Sequence, residues 1–428
     1  MLRVTSKIVW SLGYYHYNLP VPAFFTFGGP VCYSRGMRHS CIALIALLGL
    51  VACGARAQDT PVPQLSDLIR ANETFGRRLL AELHAGDSEK NVIVSPLGVS
   101  ISFAPIRFAS NDTATLREID GVFGWERIGH IDLSSKMLLA RFDEDGTRMS
   151  TQFIFRKDAG VSTDFLKTIR RYFGVEFRAV GPTEPQEHIL SQGQGPSFVP
   201  PKVEGERINN FWVENRTDLD TVWSGNTFAM GRRRADLFTL ESGTGVQTPM
   251  LVSELSNYQH VKTPDFEATR LNCVNAYILV VLPSAGKDLR DFERTLSDGQ
   301  TLVNGNSPKE IGDVELPEFH LKYDANLRPA LEKMGMNRIF TNMGSLRRLS
   351  AQGAMLLGVS QKVDMKLDKE GIHAHAFTYG GGIAGGVFGG AMPTPFHMVV
   401  NRPFLFFIYD TFTDSLLFAG AVVDPSKN

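Results

Sequence analysis

The sequence predicts an α+β fold, with helices in the first half of the chain and strands in the second. Three observations support this prediction. A chain of 428 residues with 43% hydrophobic residues can bury a large core. Apolar residues recur at helical spacing in the first half, and apolar runs typical of strands occur in the second. No fixed-period repeat divides the chain, so we expect one large domain or two ordinary ones.

The helical patterns lie between residues 65 and 122. Residues 65–83 place large apolar side chains on one face of an amphipathic helix. Residues 91–96 read N-V-I-V-S-P and predict a short strand that ends at the proline. We then expect a buried helix over 97–108 and an amphipathic helix over 111–122 that begins at a capping residue. Residues 181–205, rich in Pro, Gly and Gln, predict a surface insertion.

The second half combines three strand patterns with one glycine-rich segment. Residues 276–283, 313–320 and 404–409 alternate or run apolar, as strands do. Residues 371–395 contain eight glycines among 25 residues and no Asp, Glu, Lys or Arg. Such a segment is too flexible to pack as a regular element. We therefore expect an exposed loop with a function of its own.

Charge gives no indication of a nucleic-acid or membrane partner. The formal net charge is −1, and the basic clusters at 170–171, 232–234 and 347–348 are short enough to be solvated faces. No apolar run reaches the roughly 20 residues that a membrane-spanning helix needs. We expect neither partner.

Residues 37–57 have the pattern of a secretory signal peptide. A basic start is followed by a 13-residue apolar core at 41–53 and an A-x-A cleavage site at 55–57. We therefore expect a secreted, extracellular protein whose folded domain spans 58–428. Residues 1–36 have no coherent pattern, which favours translation starting at Met37 over an unusual leader.

Cysteine and sequon positions fit secretion. Cys273 is the one cysteine after the predicted cleavage site, so we expect a buried thiol and no intrachain disulfide. Asn72, Asn111 and Asn215 each begin an N-x-T sequon and are candidate glycosylation sites.

The common enzyme and cofactor signatures are missing. The sequence contains no G-x-S-x-G, H-E-x-x-H or P-loop motif and no C-x-x-C pair. The G-x-G-x-x-G match at 380–385 is not followed by a helical pattern, so we attribute it to chance. His373 and His375 lack a third ligand in register, and we expect no metal site there. We predict a protein that is not an enzyme and has no cofactor.

The C-terminal segments M-V-V-N-R-P-F-L-F-F-I at 398–408 and L-F-A-G-A-V-V-D-P at 417–425 closely resemble the C-terminal signature of the serpins. Further segments resemble motifs of the same family: residues 91–96, Ile208-Asn209 with Trp212-Val213 and Thr217, Leu316-Pro317-Glu318-Phe319, and the hinge start at 368–371.

This resemblance implies a monomer with three β-sheets, about eight or nine helices and an exposed reactive-centre loop over 371–395. It also implies a suicide inhibitor, in which a serine protease cleaves the loop and the cut loop inserts into the central sheet. The resemblance places the hinge at Gly371, Ile372, His373, Ala374, His375 and Ala376. It places the scissile-bond candidate at Gly385-Gly386, with Tyr379, Phe388 and Met392 as alternatives.

The loop favours an elastase- or chymotrypsin-like partner, because no Lys or Arg lies between Gly371 and Asn401 to anchor a trypsin-like protease. Strand parity would bury the even-numbered residues 372–378 of an inserted hinge and point the odd-numbered ones outward. The outward Phe377 and Tyr379 and the ordering cost of Gly380-Gly381-Gly382, about 0.5 to 1 kcal/mol per glycine, oppose fast insertion.

Other positions depart from the serpin pattern: Gly98, Gln361 and Lys369 replace residues usual in the family, and the chain is short between Thr217 and Met250. The shortening predicts a truncated central strand or a fault in the gene sequence. We therefore predict a non-inhibitory or substrate-like serpin. Two alternatives remain, an active inhibitor of an elastase- or chymotrypsin-like protease and an extracellular carrier or partner-binding protein.

Overall fold

Helices precede strands along the chain, as predicted, and strands dominate from residue 210 onward. The structure is a computed structural model, and its described residues belong to one folded unit, Pro61–Asn428. It describes residues 65–86, 89–145, 147–157, 159–180, 210–224, 227–228, 232–296, 302–303, 306–373 and 394–427. The predicted signal peptide and the insertion at 181–205 lie outside these residues.

The described residues form eight helices, and the first three lie over the segments where the sequence predicts helices. They are α1 (Leu65–Gly86), α2 (Pro96–Ala109), α3 (Thr113–Phe123), α4 (Ile131–Asp145), α5 (Thr163–Phe173), α6 (Leu289–Thr295), α7 (Arg328–Lys333) and α8 (Arg338–Thr341). Ser95 caps α2, and the cap of α3 is Asp112 rather than Asn111. Gly124 ends α3 with a φ of 69°, a conformation that favours glycine.

Sixteen strands form two hydrogen-bonded sheets. They are β1 (Val92–Val94), β2 (Thr147–Arg156), β3 (Glu176–Val180), β4 (Asn210–Val222), β5 (Arg233–Thr239), β6 (Gly245–Val252), β7 (Ser256–Lys262), β8 (Phe266–Asn272), β9 (Ala276–Pro283), β10 (Lys309–Pro317), β11 (Phe319–Asn326), β12 (Met355–Leu367), β13 (Gly371–His373), β14 (Phe396–Val399), β15 (Phe404–Asp410) and β16 (Leu416–Val422). The ten-stranded sheet has the order β1-β16-β15-β9-β8-β7-β10-β6-β5, with β14 beside β10; the six-stranded sheet has the order β11-β12-β13-β4-β2-β3.

The α+β prediction is confirmed, with two differences in detail. The strand expected over 313–320 is two strands, because the chain leaves the ten-stranded sheet after β10 and enters the six-stranded sheet as β11. Among the described residues we find two sheets rather than three, because β7 pairs with both β8 and β10 and so joins two groups of strands.

The central strand is not truncated. β4 has 13 residues, as many as β12. It is built from the segment that carries the I-N-x-W-V-x-x-x-T resemblance, so this segment supplies the central strand that was expected further along the chain. Although the chain is short after Thr217, β13 has a hydrogen-bonded strand on each side, β12 on one and β4 on the other.

The hydrophobic core centres on the C-terminal strands. β15 and β16 are buried along their whole length, and α1 and α2 pack against β16. This arrangement explains the continuous apolar runs of the C-terminal signature, since a strand buried on both faces needs no polar alternation. In the part of the chain that the structure describes, no helix is long and apolar enough to cross a lipid bilayer.

Candidate functional site: the hinge and the opening in the six-stranded sheet

In the middle of the six-stranded sheet, β4 and β12 pair directly at one end and are separated by β13 at the other. β4 and β12 pair in parallel from Asn210 opposite Met355 to Asn215 opposite Gln361. Beyond this ladder, β13 lies between them and pairs antiparallel with both. The first three residues of the predicted hinge, Gly371–His373, thus already form a strand inside the sheet.

Close packing holds these hinge residues in place. A Cβ on Gly371 would lie 2.0 Å from the Thr221 carbonyl oxygen, so no larger residue fits there. Ile372 lies opposite Thr221 and is completely buried, whereas His373 lies opposite Asp220 and is partly exposed. These two residues alternate as the parity argument predicts. Ala374, His375, Ala376, Gly385 and Gly386 lie outside the described residues.

Carboxylates surround His373. Its Nδ1 lies 2.7 Å from Asp220 Oδ1, and its Nε2 lies 3.7 Å from Asp368 Oδ1. Asp368 Oδ2 pairs with Lys366 Nζ at 2.7 Å, and Asp368 Oδ1 accepts a hydrogen bond from the Glu370 N–H at 2.8 Å. Burial alone would raise the pKa of Asp368, but the hydrogen bonds from Lys366 and the Glu370 N–H outweigh it and lower the pKa.

The sequence pattern offers His373 no third ligand in register with His375, whereas the structure brings Asp368 and Glu370 next to His373. The signal was present as the pattern D-x-E-x-x-H over 368–373. A tight turn between β12 and β13 reverses the chain over these residues and brings all three side chains together.

A buried polar cluster of Ser95, Asn215, Thr217 and Gln361 closes the sheet where the β4–β12 ladder ends. The Gln361 amide accepts from the Ser95 N–H at 2.7 Å and donates to the Ser95 carbonyl at 3.0 Å. It also donates to Asn215 Oδ1 at 3.3 Å, and Ser95 Oγ donates to Thr217 Oγ1 at 3.0 Å. The cluster therefore ties the N-terminus of α2 to both central strands.

Gly98 is part of the same arrangement. A Cβ at this position would lie 2.1 Å from Asn215 Oδ1 and 2.5 Å from Thr217 Oγ1. The two departures from the family pattern, Gly98 and Gln361, thus fit each other around Asn215. The packing shows that the sheet accommodates both residues.

A cavity of about 690 Å³ lies away from the hinge, between the turns 239–243 and 283–288 and residues 401–403. Its lining includes the charged residues Glu241, Lys287, Asp288 and Arg402. Arg402 donates two hydrogen bonds to the Pro283 carbonyl, at 3.0 and 2.8 Å. The volume is in the range of small-molecule sites, and the sequence analysis did not predict it.

The structure distinguishes among the three sequons. The Asn72 side chain is 1% exposed and donates to the Leu416 carbonyl at 3.0 Å. Asn215 is 2% exposed and belongs to the cluster around Gln361. A glycan on either side chain would have no room in the folded protein, so burial disfavours these two candidates. Asn111 is exposed.

Cys273 is a buried free thiol, as predicted. Burial raises its pKa, although a hydrogen bond with Thr221 opposes the shift. A neutral, enclosed thiol of this kind is chemically inert.

Comparisons with known proteins agree with this architecture. The family model for Serpin (serine protease inhibitor) matches residues 70–193 and 202–425. Serpin A12 of Mus musculus is 24% identical over 416 residues, which cover 89% of this chain and 97% of that protein. Corticosteroid-binding globulin of Pongo abelii is 24% identical over 413 residues, 91% of this chain and 99% of that protein. The crystal structure of mouse protein-Z dependent protease inhibitor superposes with a TM-score of 0.68 at 21% identity, covering 85% of this chain and 98% of that one.

Proposed function

This chain belongs to the serpin family, and on that basis we propose that it is a secreted protein of the serine-protease-inhibitor class. Its loop over 371–395 meets an elastase- or chymotrypsin-like protease outside the cell. After cleavage, most molecules behave as a substrate and a minority trap the protease. The observation that carries this proposal is the insertion of Gly371–His373 between β4 and β12.

The inserted hinge sets the register for any further insertion. A loop that continued the pairing of Ile372 with Thr221 would place Ala374 opposite Leu219 and Ala376 opposite Thr217. Leu219 and Thr217 are buried, so both alanines would enter the sheet interior. Small side chains suit these positions, and each added residue gains backbone hydrogen bonds to both neighbouring strands. The first part of the loop is therefore compatible with insertion.

The next part of the loop is less favourable. In the same register Thr378 would reach Asn215, where insertion must separate Asn215 from Gln361 and break the closing cluster. Gly380 and Gly382 would then fill interior positions opposite Val213 and Phe211, where they bury no side chain. Ordering glycine costs about 0.5 to 1 kcal/mol more than ordering alanine. Insertion is thus weakly driven beyond Thr378, which allows hydrolysis of the acyl-enzyme to compete.

The test is incubation of the protein from residue 58 onward with elastase-like, chymotrypsin-like and trypsin-like proteases, followed by denaturing electrophoresis. We expect cleavage within 371–395 by the first two classes, with a small fraction of SDS-stable covalent complex. A triple variant, Gly380→Ala with Gly381→Ala and Gly382→Ala, should increase the complex fraction because it removes the ordering cost. Ala374→Arg is the matched control, since a buried charge should abolish the complex and leave cleavage intact.

Two outcomes would contradict this proposal. Predominantly covalent complex with the wild-type chain would establish the alternative, an efficient suicide inhibitor. An uncleaved loop with both protease classes would exclude a protease partner of this kind.

The second candidate function is that of an extracellular carrier, and the cavity of about 690 Å³ favours it. The corticosteroid-binding globulin named above binds a small ligand, as its name states. A thermal-shift screen of small molecules that carry both apolar and polar groups tests this function, because the lining combines Leu240 and prolines with charged residues. Leu240, which lines the cavity, provides the control. A Leu240→Trp variant should lose any ligand-induced rise in unfolding temperature, because the larger ring fills the space.

A further inference from the structure

Three side chains at the start of the hinge are arranged as metal ligands. One donor atom from each of Asp368, Glu370 and His373 lies within 4.8 Å of the other two. We propose that these three residues bind a zinc ion and that the ion holds the hinge inside the six-stranded sheet. The site does not depend on the protease-directed function, because it concerns the loop before any cleavage.

His373 is oriented as zinc-binding histidines are. Its Nδ1 is held by Asp220 Oδ1 at 2.7 Å, which places the proton on Nδ1 and leaves the lone pair on Nε2. The Nε2 atom is buried and makes no hydrogen bond with any residue that the structure describes. It faces Asp368 Oδ1 at 3.7 Å. A zinc ion bound about 2.0 to 2.2 Å from both atoms fits between them.

The remaining contacts leave the ligand atoms available. Lys366 occupies Asp368 Oδ2, whereas Asp368 Oδ1 accepts one hydrogen bond from the Glu370 N–H and keeps a second lone pair for the ion. Glu370 is exposed and can bind the ion without disturbing the core. Three carboxylates, including that of Asp220, surround the His373 imidazole, and Lys366 is the one lysine paired with them. This excess of negative charge favours a dication, and one nitrogen with two carboxylate oxygens is a ligand set that zinc accepts.

A second group of the same composition, Asp313, Glu315 and His397, provides an internal comparison. There the histidine side chain is 52% exposed, against 13% for His373. Arg234 also pairs with Glu315 at 2.7 Å and offsets its charge. We expect this group to bind zinc more weakly than the hinge group.

The position of the hinge ligands gives the ion a specific effect. Asp368 and Glu370 lie in the turn before β13, whereas His373 lies in β13 itself. If the hinge left the sheet, the ion would lose His373 as a ligand. An ion that binds one state more tightly shifts the equilibrium toward that state. Zinc would therefore favour the inserted hinge and regulate how readily the loop moves.

The experiment is isothermal titration of the untagged, chelator-treated protein with zinc chloride, since an affinity tag of histidines would add ligands. We expect one ion per chain for the wild type and for His397→Gln, and no binding at the hinge for His373→Gln. Asp220→Asn should bind about 10- to 100-fold more weakly, because it removes the residue that orients His373. The unfolding temperature should rise with zinc in the wild type and in His397→Gln, but not in His373→Gln.

Glu370→Gln tests the site through a ligand whose replacement should leave the fold unchanged, because Glu370 is exposed. Circular dichroism without zinc should be identical for all variants. The proposal is wrong if the wild type binds no zinc, or if His373→Gln and Glu370→Gln both bind as the wild type does. It is also wrong if binding disappears in His397→Gln alone, since the ion would then occupy the second group.

Discussion

Replacing Gly98 with alanine tests the buried cluster that closes the six-stranded sheet. In an ordinary helix this change stabilises a protein by about 0.5 to 1 kcal/mol. Here the new Cβ would lie 2.1 Å from Asn215 Oδ1 and 2.5 Å from Thr217 Oγ1, so both side chains must move. Overpacking of this kind costs about 1 to 3 kcal/mol. Displacing Asn215 also weakens its 3.3 Å hydrogen bond from Gln361, for about 1 kcal/mol more. After subtraction of the gain expected in an ordinary helix, we expect a net destabilisation of about 1 to 3.5 kcal/mol.

The assay is urea unfolding of the protein from residue 58 onward, followed by tryptophan fluorescence and far-UV circular dichroism. Coincident curves show that the transition is two-state. Gly98→Ala is measured in three backgrounds: wild type, Asn215→Ala, and Asn215→Ala with Thr217→Ala. The cost should fall at each step and become a gain of about 0.5 to 1 kcal/mol in the last background. An equal cost in all three backgrounds, or no cost in the wild type, would refute this account of the cluster.

Three further predictions concern pH, thiol chemistry and glycosylation. Burial opposes the protonation of His260, yet its hydrogen bonds with Glu267 and Glu310 raise its pKa above the ordinary 6.5. The stabilisation from this pairing is complete below about pH 6.5 and is lost as the pH rises through the raised pKa, so His260→Gln should lower the unfolding temperature more at about pH 6 than at about pH 9; an equal loss at both would contradict it. Cys273 should react with a thiol reagent only after unfolding, because its thiol is buried and neutral; rapid labelling of the folded protein would show otherwise. In protein expressed and secreted by eukaryotic cells, Asn111→Gln should remove one glycan, whereas Asn72→Gln and Asn215→Gln should remove none, as measured by mass spectrometry. A glycan found at Asn72 or Asn215 would contradict the burial of these side chains.

Local patterns predicted the first three helices and several of the apolar strands. The helix over Leu65–Gly86, the strand over Ala276–Pro283 and the buried strands of the C-terminal signature follow from spacing and apolar runs. The inward Ile372 and outward His373 follow from the two-residue period of a strand. These properties depend on residues close together in the chain, which is why they can be predicted from the sequence alone.

Tertiary packing explains what the sequence could not predict. A sequon is a local pattern, but the burial of Asn72 depends on the carbonyl of Leu416 on another element. The grouping of Asp368 with His373 at the hinge depends on the direction of one turn, which brings the two side chains within 3.7 Å of each other. In the same way, the need for glycine at position 98 depends on the Asn215 side chain, which comes from a distant part of the chain.

The departures from the serpin pattern therefore divide into two kinds with different consequences. Gly98 and Gln361 fit together around Asn215: the missing Cβ of Gly98 leaves room for the Asn215 side chain, and Gln361 donates hydrogen bonds to Asn215 and to the Ser95 carbonyl. The glycines at 380–382 have no such partner, because an inserted strand would set Gly380 and Gly382 against Val213 and Phe211 with no side chain to bury. It follows that poor inhibition should originate in the loop and not in the sheet. Alanines at 380–382 should then increase protease trapping, whereas restoring a larger residue at Gly98 should only destabilise the fold.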